Sequence, residues 1–248
     1  MPVTGPDMDR TLTYGSRTFE PKIRMLSDIA HVLLDARILE AGDRELYYMY
    51  RDLALSRIDR ETISEHILRY DITVIPPAMI GREYVKTLGH YHPPAPGTDL
   101  SYPEVYEVLS GECHYLLQKY EGEAIVDVVM IQASSGDKVI IPPDYGHVTI
   151  NACNKELKMA NWVSRDFSSV YEPYVEMHGA AYYITEDGLL VNSNYGDVPA
   201  VREVEPGSFP EVGLVRGKEM YGLVRDIGKL DFLNRPQDFG WLFEKVLV

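Results

Sequence analysis

Two histidines one residue apart, His90 and His92, are followed by Glu104 and, well downstream, by His147. Imidazole and carboxylate groups both ligate transition ions and move protons near neutral pH. In an extended strand side chains alternate faces, so His90 and His92 point the same way and Tyr91 the other. By the same count Glu104, Tyr106 and Val108 share a face, and a strand starting near Tyr102 can aim Glu104 into the same cavity. Three imidazoles and one carboxylate make an N/O donor set suited to Fe(II), Mn(II), Ni(II), Co(II) or Zn(II). Four protein ligands leave an octahedral ion two positions for a bidentate substrate, the opening that metal-assisted chemistry needs. Taken singly, each residue is ordinary: HxH pairs are common, Glu104 reads as a solvated strand carboxylate, and His147 follows a Pro-Asp-Tyr-Gly turn.

Such a site needs strands to hold it, and the texture of the chain supplies them from Asp71 onward. Ile72–Ile75, Glu83–His92, Tyr102–Leu109, Cys113–Lys119, Ala124–Ile131 and Lys138–Ile141 read as strands. So do His147–Ala152, Leu157–Val163, Ala181–Thr185 and Leu189–Val191, with turn signals at Ser110-Gly111, Ser134–Asp137 and Glu186–Gly188. Many short strands at close spacing predict a sandwich or barrel. Before them, the first twenty residues read as a polar arm. Ser27 caps a predicted helix carrying Ile29, Val32, Leu33 and Ile38, and Asp43 starts a second through Leu46, Tyr47 and Tyr50. Residues 61–70 add a short helical turn, and Asp238 to Val246 a closing helix. The expected organisation is a single domain: an arm and helices over 1–70, a barrel over 71–195 and a C-terminal extension over 196–248.

The chain has 248 residues, 45% hydrophobic and 25% charged, which is globular composition rather than disorder. Its formal charge of −14 repels nucleic acid and anionic lipid, so neither is an expected partner. The same charge gives no general attraction for a phosphorylated substrate, and any anion site must be local. Two cysteines, Cys113 and Cys153, make no disulfide framework and point to a reducing compartment. No window approaches 18 apolar residues and the start lacks a signal-peptide core, so a soluble cytoplasmic protein is expected.

The intervals carry more than the residues do. Glu104 and Gly111, then Gly136, Pro142, His147 and Asn151, resemble the two motifs of the cupin superfamily. There are two departures: eleven residues separate His92 from Glu104, so Pro93–Pro103 must form an inserted loop, and Asp144 stands where glycine is usual. The phrases T-V-I-P-P, G-R-E-Y-V-K-T-L-G-H-Y-H, P-E-V-Y-E-V-L-S-G-E and I-I-P-P-D-Y-G-H-V-T-I-N narrow the resemblance to the archaeal-type cupin glucose-6-phosphate isomerases. It is strongest over residues 71–152 and weaker to about 190.

That resemblance implies an all-β-dominated cupin barrel (a double-stranded β-helix or jelly roll) with N-terminal helices and a short C-terminal helix. It implies interconversion of glucose 6-phosphate and fructose 6-phosphate in glycolysis and gluconeogenesis. It also implies one divalent ion per subunit, Fe2+ first and Mn2+, Ni2+, Co2+ or Zn2+ after it, on His90, His92, Glu104 and His147. Thr87, Gly89 and Thr73 match phosphate contacts, Tyr106 a tyrosine facing the substrate, and Tyr171 or Tyr174 a further substrate tyrosine. On the residues alone, Thr87 is a plain strand residue, Gly89 a bulge and Tyr106 barrel packing. The implied partners are a sugar phosphate and a second copy of the chain, and Glu104 is the candidate base. Aldose–ketose isomerisation runs either through an enediol, which needs a base, or by a hydride shift, which needs mainly a polarising metal. Mannose 6-phosphate isomerisation, a cupin dioxygenase and a non-catalytic sugar-binding cupin are the rival readings. The Pro93–Pro103 loop is the expected lid or rim over the substrate.

Overall fold

The computed structural model of the chain describes residues 10–248. Its centre is a six-stranded antiparallel sheet in the spatial order Lys138–Ile141, Glu104–Ser110, Leu157–Ser164, Leu68–Ile75, Glu45–Tyr50, Lys22–Met25. Tyr145–Ile150, Glu112–Glu121, Ala124–Ser134 and Arg202–Glu203 form a second sheet, the last strand running parallel to its neighbour. The mostly-β class expected from the sequence is therefore met. Closure is looser than a barrel: the sheets are not joined edge to edge by a continuous ladder, and the segment from Lys86 to His90 is tied to the second sheet only by single bridges, Lys86 to Ile150 and His90 to His147. A small sheet of Met79–Ile80, Glu83–Tyr84, Tyr182–Thr185 and Gly188–Val191 stands apart, as does a hairpin of Leu12–Tyr14 with Arg17–Phe19.

Period-two alternation sorts the side chains of the six-stranded sheet into two cores. Tyr106, Val108, Met159, Ile75, Tyr47 and Met49 face the second sheet, joining Leu116, Val128 and Val148 in one cluster. Their sequence neighbours Val105, Ala160, Trp162, Tyr70, Ile72, Tyr48 and Tyr50 face the other way, into a second cluster with Leu223, Leu230 and Phe232. The sheet is thus buried on both faces, and the C-terminal extension is what covers its outer one. Trp162 Nε1 donates to the Met220 carbonyl at 3.1 Å. Glu107 accepts from the Met220 N–H at 2.7 Å and from Lys138 Nζ at 3.0 Å, so a fully buried lysine is paired and satisfied.

Several local expectations are corrected. Ser27 does not cap a long helix: its hydroxyl and N–H both donate to Asp43, and only a helical turn over Leu26–Ile29 and short 3-10 turns to Ala41 form. The second helix predicted from Asp43 is the strand Glu45–Tyr50. The i, i+3 spacing of apolar residues there misled, because five consecutive positions are buried on two faces, which a tyrosine-rich strand in the middle of a sheet accommodates. The helix placed at 61–70 lies at Arg57–Glu65, capped by Ser56, and the next strand begins at Leu68 rather than after Asp71. Glu83–His92 is a strand only at Glu83–Tyr84, then continues as isolated bridges. The closing helix shrinks to a 3-10 turn at Pro236–Phe239 followed by one α-helical turn at Gly240–Phe243. Part of the polar arm, residues 1–9, lies outside the described residues; the rest pairs as the hairpin.

The two departures from the motif pattern meet in space. Asp144 has a φ of 70°, in the left-handed region that costs most residues a clash and that aspartate tolerates. Its N–H donates to Ser101 Oγ at 2.7 Å and its carboxylate accepts the Ser101 N–H at 3.0 Å. The inserted loop thus braces the turn in which aspartate replaces glycine. That loop is no lid. It closes on itself through Pro94 and Ser101, buries Ala95, and lines no part of the cavity described below.

Candidate metal centre

His90 and His147 are cross-strand partners, each N–H donating to the other's carbonyl at 3.2 and 3.0 Å, which sets their rings 4.5 Å apart. His92, two residues on, and Glu104, at the start of its strand, complete a group whose donor atoms all lie within 4.8 Å of one another. Glu104 Oε2 is 3.5 Å from His92 Nε2 and 3.3 Å from His147 Nε2. The four residues expected to act together are brought together.

Their chemistry fits a divalent transition ion. Burial pushes the pKa of each of the three imidazoles down to about 3, so all are neutral near pH 7, as ligation requires. His92 Nδ1 donates to the Tyr102 carbonyl at 2.8 Å, which fixes its tautomer and turns the Nε2 lone pair toward Glu104. The Tyr102 carbonyl is the last service of the inserted loop. Glu104 Oε1 accepts from Asn161 Nδ2 at 2.7 Å, leaving Oε2 as the oxygen that faces the histidines. His147 Nδ1 is buried with no hydrogen-bond partner, a polar atom whose cost is offset only if the ring serves something at its other nitrogen.

Asn161, which sequence reasoning passed over, therefore holds the carboxylate. Asn161→Leu is expected to leave Glu104 Oε1 buried and unpartnered, costing about 1–3 kcal/mol of stability. It should weaken metal binding roughly 10–100-fold, the loss typical of a removed hydrogen-bond support to a ligand. Metal titration of the variant checks this; wild-type affinity would show that Asn161 does not position Glu104.

Beside the four residues lies a cavity of ≈ 410 Å³, large enough for a small ligand. Its lining includes Glu104 and Tyr106, Thr73, Met159 and Asn161, and four cations, Lys22, Arg24, Arg51 and Arg69. Phe167, Ser168, Ser169 and Tyr171 also line it, and the inserted loop does not. Phe167 sits 4.4 Å from the His92 ring and stacks on Tyr102 at 4.8 Å.

Of the residues matched to substrate contacts, Thr73, Thr87, Tyr106 and Tyr171 line this cavity. Thr87 Oγ1 accepts the Thr149 N–H at 3.0 Å, and its hydroxyl proton stays available to donate. Tyr106 Oη lies 3.2 Å from His147 Nε2, and burial raises its pKa well above the usual value. The Tyr171 ring is 5.5 Å from that of His90, whereas Tyr174 is fully buried against Tyr91. Gly89 does not line the cavity: the Tyr174 ring presses on its Cα, and any side chain there would collide with it. The four cations were not expected to meet.

The chain matches the glucose-6-phosphate isomerase (GPI) family over residues 23–200. It is 30% identical over 173 residues to a glucose-6-phosphate isomerase of Thermococcus litoralis, covering 68% of this chain and 83% of that protein. It is 33% identical over 129 residues to one of Thermococcus gammatolerans, covering 52% and 61%. Among solved structures, a deletion mutant of Bacillus subtilis oxalate decarboxylase matches 52% of this chain and 28% of its own at 16% identity, with a TM-score of 0.37. Within the described residues, no helix is long and apolar enough to cross a membrane.

Proposed function

The chain belongs to the glucose-6-phosphate isomerase family, and on that premise we propose that it interconverts glucose 6-phosphate and fructose 6-phosphate with a divalent ion held by His90, His92, Glu104 and His147. The observation that carries the metal-dependent form of this reading is the convergence of four donors, three of them on buried residues, at the edge of a sugar-sized cavity. A divalent ion there supplies Lewis acidity toward adjacent oxygens of the open-chain sugar. Fe(II) is our first assignment, since the neutral imidazole and carboxylate set suits it.

The remaining work falls to side chains. Among the described residues Glu104 is the only carboxylate lining the cavity, and it is the candidate group to move a proton between C1 and C2. Tyr106, beside both Glu104 and His147, can donate to a substrate oxygen, because its raised pKa keeps the phenol protonated. Thr73, Thr87 and Tyr171 offer hydroxyls along the cavity for the sugar and its phosphoryl group. Phe167 packs at a tilt against His92 and screens that side from water.

We read the assembly as a homodimer. Leu189, Leu190 and Val191 lie half exposed on the outermost strand of the small sheet, an apolar edge that a second copy would cover. A coupled assay converting fructose 6-phosphate to glucose 6-phosphate tests the activity.

A further inference from the structure

The four cations around the cavity are not equivalent. Arg51 Nη1 and Arg69 Nε both donate to Asp71 Oδ2, at 2.6 and 2.7 Å, and Asp71 is fully buried beneath them. Arg24 and Lys22 share one face of the N-terminal strand, opposite Tyr47 and Met49, and neither pairs with a carboxylate among the described residues. Arg24 Nε is buried with no hydrogen-bond partner. A desolvated guanidinium N–H without an acceptor is costly, more so than a neutral group, and an anionic ligand oxygen would satisfy it.

Position is compatible with a substrate that also reaches the metal centre. In a flat sheet the four strand spacings between Glu104 and Arg24 would span roughly 19 Å, too far for one hexose phosphate. The edge curls inward, however. Tyr47 Oη accepts the Leu88 N–H at 3.0 Å, two residues from His90 and next to Thr87. The Arg24 guanidinium carbon lies 5.9 Å from the Tyr47 ring centre. Arg24, Tyr47, Thr87 and Tyr171 therefore line the same cavity as His90, His92 and Glu104, with Tyr171 only 5.5 Å from the His90 ring. In a chain carrying −14 overall, two unpaired cations in one cavity form a local anion site rather than part of a general field.

We propose that Arg24, with Lys22 behind it, is the cationic arm that holds the phosphoryl group beside the Thr87 hydroxyl, and that it sets the preference for phosphorylated over free sugars. This rests on the isomerase reading above, but its first test needs no activity. Inorganic phosphate is titrated calorimetrically into the wild-type protein, Arg24→Met and Arg24→Lys, with circular dichroism as the folding control. Arg24→Met should bind phosphate about tenfold to a hundredfold more weakly, with Arg24→Lys recovering part of the loss. In the isomerase assay the KM for fructose 6-phosphate should rise by a similar factor, with kcat changed less than about threefold. The ratio of kcat/KM for fructose 6-phosphate to that for fructose should fall accordingly. Equal phosphate affinity in wild type and Arg24→Met overturns the proposal. So does an equal loss for the phosphorylated and the free sugar, which would mark Arg24 as structural. Arg24-dependent phosphate binding in a wild-type protein that isomerises neither sugar would remove the isomerase reading and leave the anion site standing.

Discussion

His147→Ala is expected to abolish stable metal binding and to lower isomerase activity by more than the roughly 10–100-fold that loss of a supporting hydrogen bond costs a metal site. The fold should survive. The backbone of His147 is held by paired hydrogen bonds to His90 and by its ladder to Leu117, none of which uses the imidazole. Its Nδ1 has no partner to lose, and the Tyr106 hydroxyl keeps Glu104 as a neighbour. Metal content by elemental analysis, beside far-ultraviolet circular dichroism, checks both halves. A folded variant with full metal occupancy would remove His147 from the ligand set.

Glu104→Gln is expected to have a comparably large effect for a different reason. The substitution keeps the shape and one carbonyl oxygen but removes the charge and the basicity. Asn161 Nδ2 can still donate to the amide oxygen, but the amide nitrogen then faces His92 and His147 in place of a carboxylate oxygen. Metal affinity falls, so the informative measurement is made at saturating metal. There kcat should still be down about 10²–10⁴-fold, the span attributed to a positioned acid–base group. Wild-type turnover at saturating metal would reduce Glu104 to a ligand and leave the hydrogen transfer to a route without a base. A ligand doubling as base is a chemically strained assignment, since coordination to a cation lowers a carboxylate's basicity. That strain makes the saturating-metal condition decisive.

The four-residue cluster was legible because extended chain alternates its side chains even where it forms no continuous strand. Two histidines at i and i+2 must share a face, and fixed intervals to Gly111 and Gly136 place the turns that bring Glu104 and His147 beside them. Gly111, with a φ of 85° and the Glu156 carbonyl against its Cα, could be read as a turn from its type alone. What escaped depends on pairings between distant segments. Lys22 and Arg24 reach the cavity only because the arm adds a strand beside Glu45–Tyr50, which itself was read as a helix. Their alternation around Ile23 was visible, but nothing local said which sheet they would join. Asn161 sat in a recognised strand, on the face of Met159, and the same count that placed Glu104 would have placed it. Of the segment from Phe167 to Tyr171 only Tyr171 was named, because the segment carries no strand or helix signal before Glu172, and the proline-rich loop was expected to cover the substrate instead. That loop looked like an interruption of the site. It proves to be a brace: Ser101 for the Asp144 turn and the Tyr102 carbonyl for His92.

The central claim is that isomerisation depends on an ion held by His90, His92, Glu104 and His147. Conversion of fructose 6-phosphate to glucose 6-phosphate, followed in a coupled assay before and after chelation and again after addition of Fe(II) or Mn(II), tests it most directly. The expected result is loss of activity on chelation and its return with the ion. Full activity in protein shown by elemental analysis to be metal-free would contradict it.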